Sequence, residues 1–557
     1  MAKRQPHRDS KTPRNQNGNN LKAAGILICG LSVLTSSSLY LASYYPLEWW
    51  AGACVFAAPV FYVMRRLSIG KGFLVAYVTG FLMALGLGYW TYTTLHDAYA
   101  TSAPASLAFV VATMCFMSFY IALPYLCWRF LVGQGDSRPT HLPAAITRSL
   151  LAASLFYLSE HLRSVGILSL PWGLFGAGLA GSESMIQFAD IVGVLGLSWI
   201  AVLISALVFE IVESLSKSYN TGMHNKLEHF VLPLQTGAVI SLVIGMLFFY
   251  ADQRIKIFQS EKQQHDQITI ALVQSNVPTS VQWQEGSALS NLDTYLQITE
   301  RLLMQKAHDL VIWPEASIHA YLEHEVTAKT RLHKFSNTHN IDLILGGLDV
   351  EYKQNNRLAV YNTVFHFETD NSELNRYRKI ELVPFAEYNP FGAFDTFNQI
   401  GKAPRYYDRG IETVVMPLTK LHQRKTFSTV PKTGTLICFE SLYPWISREL
   451  ARNGANFLIN ISNDQLLGDF AIEFHFRQAR FRAIETRRYL ARVATTGITA
   501  IYDPLGRIKS GKLERDKQSV LSAKVPLLTT QSIYTQFGDW PLILISLATR
   551  TPFIRVV

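Results

Sequence analysis

At 557 residues, with 49% hydrophobic and only 17% charged residues, the chain is too long for one ordinary domain and too apolar for a purely soluble protein. Its net charge of +10 argues little for nucleic acid, because the basic residues gather in short connections between apolar runs. A disulfide scaffold is excluded: Cys29, Cys54, Cys115 and Cys127 lie in apolar segments, which leaves Cys438 alone in the second half.

Residues Met1 to Lys22 are polar and basic with no apolar face, and read as a disordered cytoplasmic tail. Ala23 to Ala42 is long enough to span a bilayer and lacks a small-residue cleavage site, so it reads as a retained first helix and not a signal peptide. Apolar stretches recur at Leu47 to Met64, Gly72 to Tyr92, Ala105 to Val132, Ser149 to Gly166, Ile186 to Ile211 and Leu232 to Tyr250, which predicts about seven helices over residues 23–251. Arg65, Arg66 and Lys71, then Arg129, Arg138 and Arg148, then Lys217 and Lys226 fall in alternate connections. By the positive-inside rule those connections are cytoplasmic, and an odd number of crossings exports everything after about Tyr250. Glu160, His161 and Arg163 sit near the end of the fifth span, where charges face a cavity, face each other or snorkel outward. Pro171-Trp172-Gly173, just beyond, reads as an interfacial turn on the exported side.

From Gln267 the texture changes to short apolar strands alternating with amphipathic segments, as in a sheet covered by helices. Strands are expected at Ile268 to Gln274, Leu310 to Trp313, Leu343 to Leu348, Asn362 to Phe367, Thr435 to Cys438, Phe457 to Ile461, Ile498 to Tyr502 and Ser519 to Val525. Helices fit at about Leu289 to Ala307, Glu325 to Asn337, Tyr443 to Asn453 and Ala471 to Ala494. The domain therefore covers 252–530, and 531–557 is an apolar membrane segment that Arg550 interrupts, short for a full span. No metal-ligand spacing and no phosphate-binding glycine loop is present in the sequence.

Three strand ends carry chemistry. Standing alone, Cys438 reads as a small buried hydrophobe. Yet Leu310 to Trp313 runs into Glu315, Arg376-Tyr377-Arg378 runs into Lys379, and Thr435 to Ile437 runs into Cys438. Singly, Glu315 is a strand-end carboxylate and Lys379 one charge of a solvated run; together they compose a catalytic triad. A thiol with a reference pKa near 8.5 needs a base and a positive field beside it. Glu315 supplies the first and Lys379 the second, and the same lysine would stabilise the oxyanion formed when sulfur attacks a carbonyl.

Trp313-Pro314-Glu315-Ala316, Arg378-Lys379 with Val383-Pro384-Phe385-Ala386-Glu387-Tyr388, Cys438-Phe439-Glu440 and Asn460-Ile461-Ser462-Asn463-Asp464 match, in order, the motif blocks of the nitrilase superfamily. With a multi-helix membrane half before them and Gly538-Asp539-Trp540-Pro541 after, the chain resembles the apolipoprotein N-acyltransferase family over essentially its full length. The resemblance implies an αββα sandwich beside the helices. It also implies transfer of an acyl chain from a phospholipid to the α-amine of a diacylglyceryl-cysteine at a lipoprotein N-terminus, by a monomer in the inner membrane without a cofactor. It places Trp283, Glu387 and Glu440 at supporting positions: Glu387 would polarise the site and Glu440 would hold the strand end after the nucleophile. Family members commonly carry Tyr where Phe439 stands and an aromatic pair where Leu466 and Leu467 stand, so substrate shape is the feature those positions affect, and a divergent acyltransferase paralogue with another acceptor is the alternative within the family. Two other classes compete. A membrane-tethered amidase would use the same triad with water as acceptor, but one anchor would suffice for it. A transporter or scaffold with a dead soluble domain conflicts with the intact triad.

Overall fold

The computed structural model describes residues 14–133, 141–220, 228–261, 265–278, 286–354, 357–369, 374–390, 406–425 and 427–549. Among them are six helices long and apolar enough to cross a membrane: Ala23–Ala42, Ile69–Gly88, Ala103–Val132, Leu142–Arg163, Ala189–Lys217 and Phe230–Ser260. The first belongs to a helix that begins at Arg14, so part of the expected disordered tail is helical, while residues 1–13 lie outside the described residues. Outward faces carry Leu27, Phe130, Leu234 and Phe249 in the open, as a lipid-facing surface would. Helix Ala189–Asn220 is the buried centre of the bundle.

The expected span at Leu47 to Met64 is a departure. It is not one helix but two, Trp50–Ala53 and Ala58–Met64. Pro59 enters the first turn of the second piece, where its ring disfavours helix in the residues before it. Ser205 Oγ accepts from the amides of Ala57 and Ala58 at 2.9 and 3.1 Å, which satisfies the Ala57 donor and supplements the backbone bond from Ala58 to Val55. Broken or not, the segment runs the length of the bundle. Glu48 before it pairs with Arg477 of the second domain at 2.6 Å, and Met64 at its far end accepts from Arg129 Nε at 2.8 Å. That far end also holds the ion pairs Arg148–Glu210 at 2.6 Å and Arg66–Glu213 at 2.8 Å.

Glu160 and Arg163 resolve to the option of facing each other. They pair at 3.2 Å in the bundle interior, and Arg163 donates to the carbonyls of Trp172 and Gly173 while Glu160 accepts from the amide of Phe175. The pair thus fixes the Pro171-Trp172-Gly173 turn against the second domain.

That domain is two six-stranded sheets packed face to face with helices outside. The first sheet has the order β12-β1-β2-β3-β4-β5, where β1 is Gln267–Gln274, β2 Leu310–Ile312, β3 Asp342–Tyr352, β4 Leu358–Phe367, β5 Asn375–Arg378 and β12 Ser519–Pro526. The second has the order β11-β10-β9-β8-β7-β6, with β6 Val415–Pro417, β7 Lys432–Ile437, β8 Phe457–Ser462, β9 Leu490–Ala494, β10 Ala500–Tyr502 and β11 Ile508–Lys512. Strand alternation sorts the core. Ile270, Leu272, Ile312, Ile344 and Val364 face the opposing sheet, while Ala271, Val273, Val311, Leu343 and Phe365 face helices Ser287–Gln305 and Val326–His339. Being buried on both faces, these strands read as unbroken apolar runs.

Helices Pro444–Arg452 and Asp469–Thr486 cover the second sheet, and the latter lies between the sheet and the membrane bundle. The expected helix to Ala494 stops at Thr486, and Leu490–Ala494 is strand β9. No glycine or asparagine marks the stop. Arg487 adopts a left-handed φ of 51°, held by its own guanidinium on Asp190, on Gln187 and on the carbonyl of Pro504. At the C-terminus, helix Trp540–Ala548 has nine residues, about 14 Å, which is short of a span, and residues 550–557 lie outside the described ones.

Candidate active site

Three strand ends meet at one place. Beyond β2, Trp313-Pro314-Glu315 folds back on β3, where a Cβ on Gly346 would stand 2.8 Å from the Glu315 Cα; only glycine permits that approach. Glu315 is buried, and both of its oxygens are engaged: Oε1 accepts from Asn362 Nδ2 at 2.7 Å and Oε2 from the Asn463 amide at 2.8 Å.

Alternation along β5 sorts the basic run Arg376 to Lys379. Arg376 and Arg378 turn outward to Asp349, whereas Tyr377 and Lys379 turn inward. Lys379 is 1% exposed, with Nζ 2.7 Å from Glu387 and 3.6 Å from Glu315. Glu387 is fixed in turn by the Val383 amide, which donates to it at 2.9 Å.

Cys438 follows β7 in a tight turn, Cys438–Leu442, and has a left-handed φ of 50°. A non-glycine residue there is strained unless its surroundings over-determine it. Here they do. Asn460 Nδ2 donates to the Cys438 carbonyl at 3.2 Å, and His475 Nε2 lies at 3.2 Å from the same oxygen. Ser462 Oγ sits 3.5 Å from Sγ.

Glu440 is completely buried and ties two strand ends together: it accepts from the amides of Ile437, Ile380 and Glu381 and from the Tyr377 hydroxyl. Phe439 stacks on Trp172 with ring centres 5.7 Å apart, so the residue after the cysteine touches the turn held by Arg163. Leu466 and Leu467 are half-buried in the loop after Asp464, and the Leu466 carbonyl accepts from Thr94 Oγ1 of the membrane half at 2.9 Å. Phe385 meets Phe109 across the same seam at 5.3 Å. Trp283 lies outside the described residues.

The electrostatics follow from burial. Burial first, then the Glu315 carboxylate, push the Cys438 thiol well above its usual range, and Lys379 offsets only part of this. Burial likewise raises the Glu315 carboxyl, with Lys379 opposing. Burial would lower Lys379, but Glu387 and Glu315 outweigh it and keep the ammonium charged. The arrangement is a neutral thiol beside a carboxylate and a permanent cation, which can exchange one proton and hold one developing anion.

Sequence reasoning assigned no role to the layer beneath the cysteine: Asn362, Asn460, Ser462, Asp464, His475 and Arg492. Asn362 and Arg492 come from strand interiors and His475 from a helix, with no local signature, whereas Asn460, Ser462 and Asp464 belong to a motif block that gave them no role. Ligand atoms of Cys438, Asp464 and His475 lie within 4.8 Å of one another. A metal is a poor fit, since Arg492 Nη2 already occupies that cluster, 2.7 Å from Asp464 Oδ2 and 3.2 Å from His475 Nδ1.

Comparison with known proteins agrees with this construction. Residues 269–535 match the carbon-nitrogen hydrolase family and residues 36–207 match the apolipoprotein N-acyltransferase N-terminal domain. An apolipoprotein N-acyltransferase from Geobacter metallireducens is 26% identical over 496 residues, covering 89% of this chain and 88% of the relative. One from Rickettsia typhi is 30% identical over 397 residues, covering 71% of this chain and 74% of the relative. Among solved structures, Saccharomyces cerevisiae Nit3, described as a member of branch 10 of the nitrilase superfamily, is 20% identical with a TM-score of 0.35, covering 50% of this chain and 95% of that one. With an apolar helical bundle, a carbon-nitrogen hydrolase domain and relatives that align along most of its length, the chain belongs to the apolipoprotein N-acyltransferase family.

Proposed function

We propose that this membrane acyltransferase moves an acyl chain from a phospholipid to the N-terminal α-amine of a diacylated lipoprotein through a thioester on Cys438. The observation that carries the reading is the position of Glu315, Lys379 and Cys438 around one point at the seam with the bundle. Glu315 takes the thiol proton as sulfur attacks the ester carbonyl, and Lys379 stabilises the tetrahedral oxyanion. Collapse expels the lysophospholipid alkoxide, which takes the proton back from Glu315. The acceptor amine then attacks the thioester, gives its proton to Glu315 and displaces the Cys438 thiolate, which recovers that proton. Amide resonance makes this second step downhill without a nucleotide.

The supporting positions follow from their contacts. Glu387 orients Lys379, Glu440 locks the strand ends, and Leu466 and Leu467 shape the seam through which acyl chains enter. Trp283 keeps the supporting role that its motif position implies. We assign 23–251 to the membrane domain, 252–530 to catalysis and 531–557 to a C-terminal apolar membrane segment. Arg65, Arg66, Arg129 and Arg148 cluster at the end of the bundle away from the catalytic domain, which by the positive-inside rule supports an exported catalytic domain on an inner membrane. A reporter fused after Ala251 should be exported and one near Arg138 retained.

Purified protein given labelled phospholipid and no acceptor should accumulate a hydroxylamine-sensitive adduct on Cys438, absent in Cys438→Ala. A diacylated lipopeptide should discharge it to a triacylated product. Release of free fatty acid at one rate with or without lipopeptide would identify a hydrolase instead.

A further inference from the structure

Beneath the reacting sulfur lies a hydroxyl with one hydrogen and two acceptors. Ser462, the last residue of β8, is fully buried, and its Oγ stands 2.7 Å from Asp464 Oδ1 and 3.5 Å from Cys438 Sγ. At rest the hydrogen belongs to Asp464, because the distance is shorter and the carboxylate is charged while the thiol is neutral. Asp464 does not depend on that bond. Arg492 Nη2 donates to its Oδ2 at 2.7 Å, and His475 Nδ1 lies 3.2 Å from Oδ1. Burial would raise the Asp464 carboxyl, but Arg492 and His475 overcome it and hold it well below the usual range, so it stays ionised when the hydroxyl leaves. Arg492 Nη2 also lies 3.3 Å from Ser462 Oγ, which it can support as donor while the hydroxyl points elsewhere.

We propose that Ser462 is a further catalytic residue, a hydrogen-bond donor that swings from Asp464 to the Cys438 sulfur whenever that sulfur carries charge. The motion is rotation about one Cβ–Oγ bond and displaces no heavy atom. It deepens the thioester reading above and rests on it. As the Sγ–H proton passes to Glu315, negative charge appears on a sulfur whose position is pinned through the Cys438 carbonyl by Asn460. The Ser462 hydrogen then turns to it. When the carbon–sulfur bond forms, the charge moves to the oxyanion at Lys379 and the hydroxyl returns to Asp464. In the second half-reaction sulfur leaves as thiolate, and the hydroxyl turns again. No bond to Ser462 is made or broken. Lys379 serves the oxyanion and Ser462 the sulfur, so the two charges of each half-reaction have separate partners, and Asp464 and Arg492 act only through Ser462 as positioning residues.

The test uses full-length protein in lipid nanodiscs and two isosteric replacements, Ser462→Thr, which keeps the hydroxyl, and Ser462→Val, which removes it. Two quantities are read: the rate of Cys438 alkylation by iodoacetamide at fixed pH, located by peptide mass spectrometry, and the single-turnover rates of adduct formation and discharge. A hydrogen bond to a charged group predicts that Ser462→Val slows both half-reactions, and alkylation with them, roughly tenfold to hundredfold. Ser462→Thr should stay close to the parent protein in both. Equal behaviour of the two variants overturns the proposal, whether both match the parent or both are impaired, since the hydroxyl would then be irrelevant. Failure of the parent itself to form the Cys438 adduct would refute the thioester reading, a separate result.

Discussion

Lys379→Met isolates the most expensive charge arrangement in the site. The ammonium is 1% exposed, 2.7 Å from Glu387 and 3.6 Å from Glu315. At an effective dielectric constant near 20, those separations correspond to about 6 and about 5 kcal/mol of attraction. Most of this offsets the desolvation of three charges, so the net loss on deleting the cation should be about 3–5 kcal/mol, the usual cost of leaving a buried partner uncompensated. The apparent Tm should fall on the order of 10 °C. Adding Glu387→Gln removes one stranded carboxylate while keeping an acceptor for the Val383 amide, and should recover more than half of that loss. Activity should not follow. Single-turnover acylation should fall by roughly 100-fold or more in both variants, because no other cation among the described residues pairs with Glu315 and Glu387 at the oxyanion position. Thermal unfolding by intrinsic fluorescence and adduct formation by gel fluorography separate the two effects. A double variant no more stable than Lys379→Met would refute the charge argument, and acylation within a few-fold of the parent would refute the oxyanion role.

Burial pushes the Glu440 carboxyl up to about 7 from 4.5. Between those pH values the native state keeps a proton that the unfolded chain has lost, so stability contributed here falls as pH rises through the window, by on the order of 3 kcal/mol in all. Glu440→Gln should flatten that part of the Tm-against-pH curve, and an unchanged curve would contradict it. Arg163→Met should cost about 3–5 kcal/mol by leaving Glu160 buried and unpaired, and should slow acylation because the Trp172 turn that stacks on Phe439 loosens. Adding Glu160→Gln should restore Tm more than rate, whereas an intact rate in Arg163→Met would detach the turn from catalysis. Leu466→Trp with Leu467→Phe should change the relative rates among acyl donors and leave iodoacetamide reactivity of Cys438 intact; complete loss of adduct in the folded double variant would move this loop into the chemistry.

Local pattern carries far in this chain, and where it stops is informative. The apolar runs, the strand sequence from Ile268 to Val525 and the three chemistry-bearing strand ends depend on composition and on a period of two, both visible without coordinates. Strands β6, β9 and β11 were not legible: β6 is a three-residue strand set by its neighbour, β9 lay within the expected helix to Ala494, and β11 is largely solvent-exposed. The end of helix Asp469–Thr486 was hidden because the left-handed residue is an arginine held by Asp190 and Gln187 from the other half of the molecule. Likewise, Leu47 to Met64 reads as a span on composition, and its break is supported by Ser205, a residue of another helix.

Glu315, Lys379 and Cys438 could be chosen from sequence because each ends a strand and carries a group the chemistry requires. Their protonation could not. Whether a thiol is neutral, a carboxyl raised or an ammonium charged depends on burial and on groups a few ångströms away, contributed by residues as much as 148 positions distant. The supporting layer of Asn362, Asn460, Ser462, Asp464, His475 and Arg492 is of that kind. The sequence by itself determined which groups are available and at which strand ends they stand; only the tertiary structure decided which of them share a proton, because that depends on distance in a low-dielectric interior and not on separation along the chain.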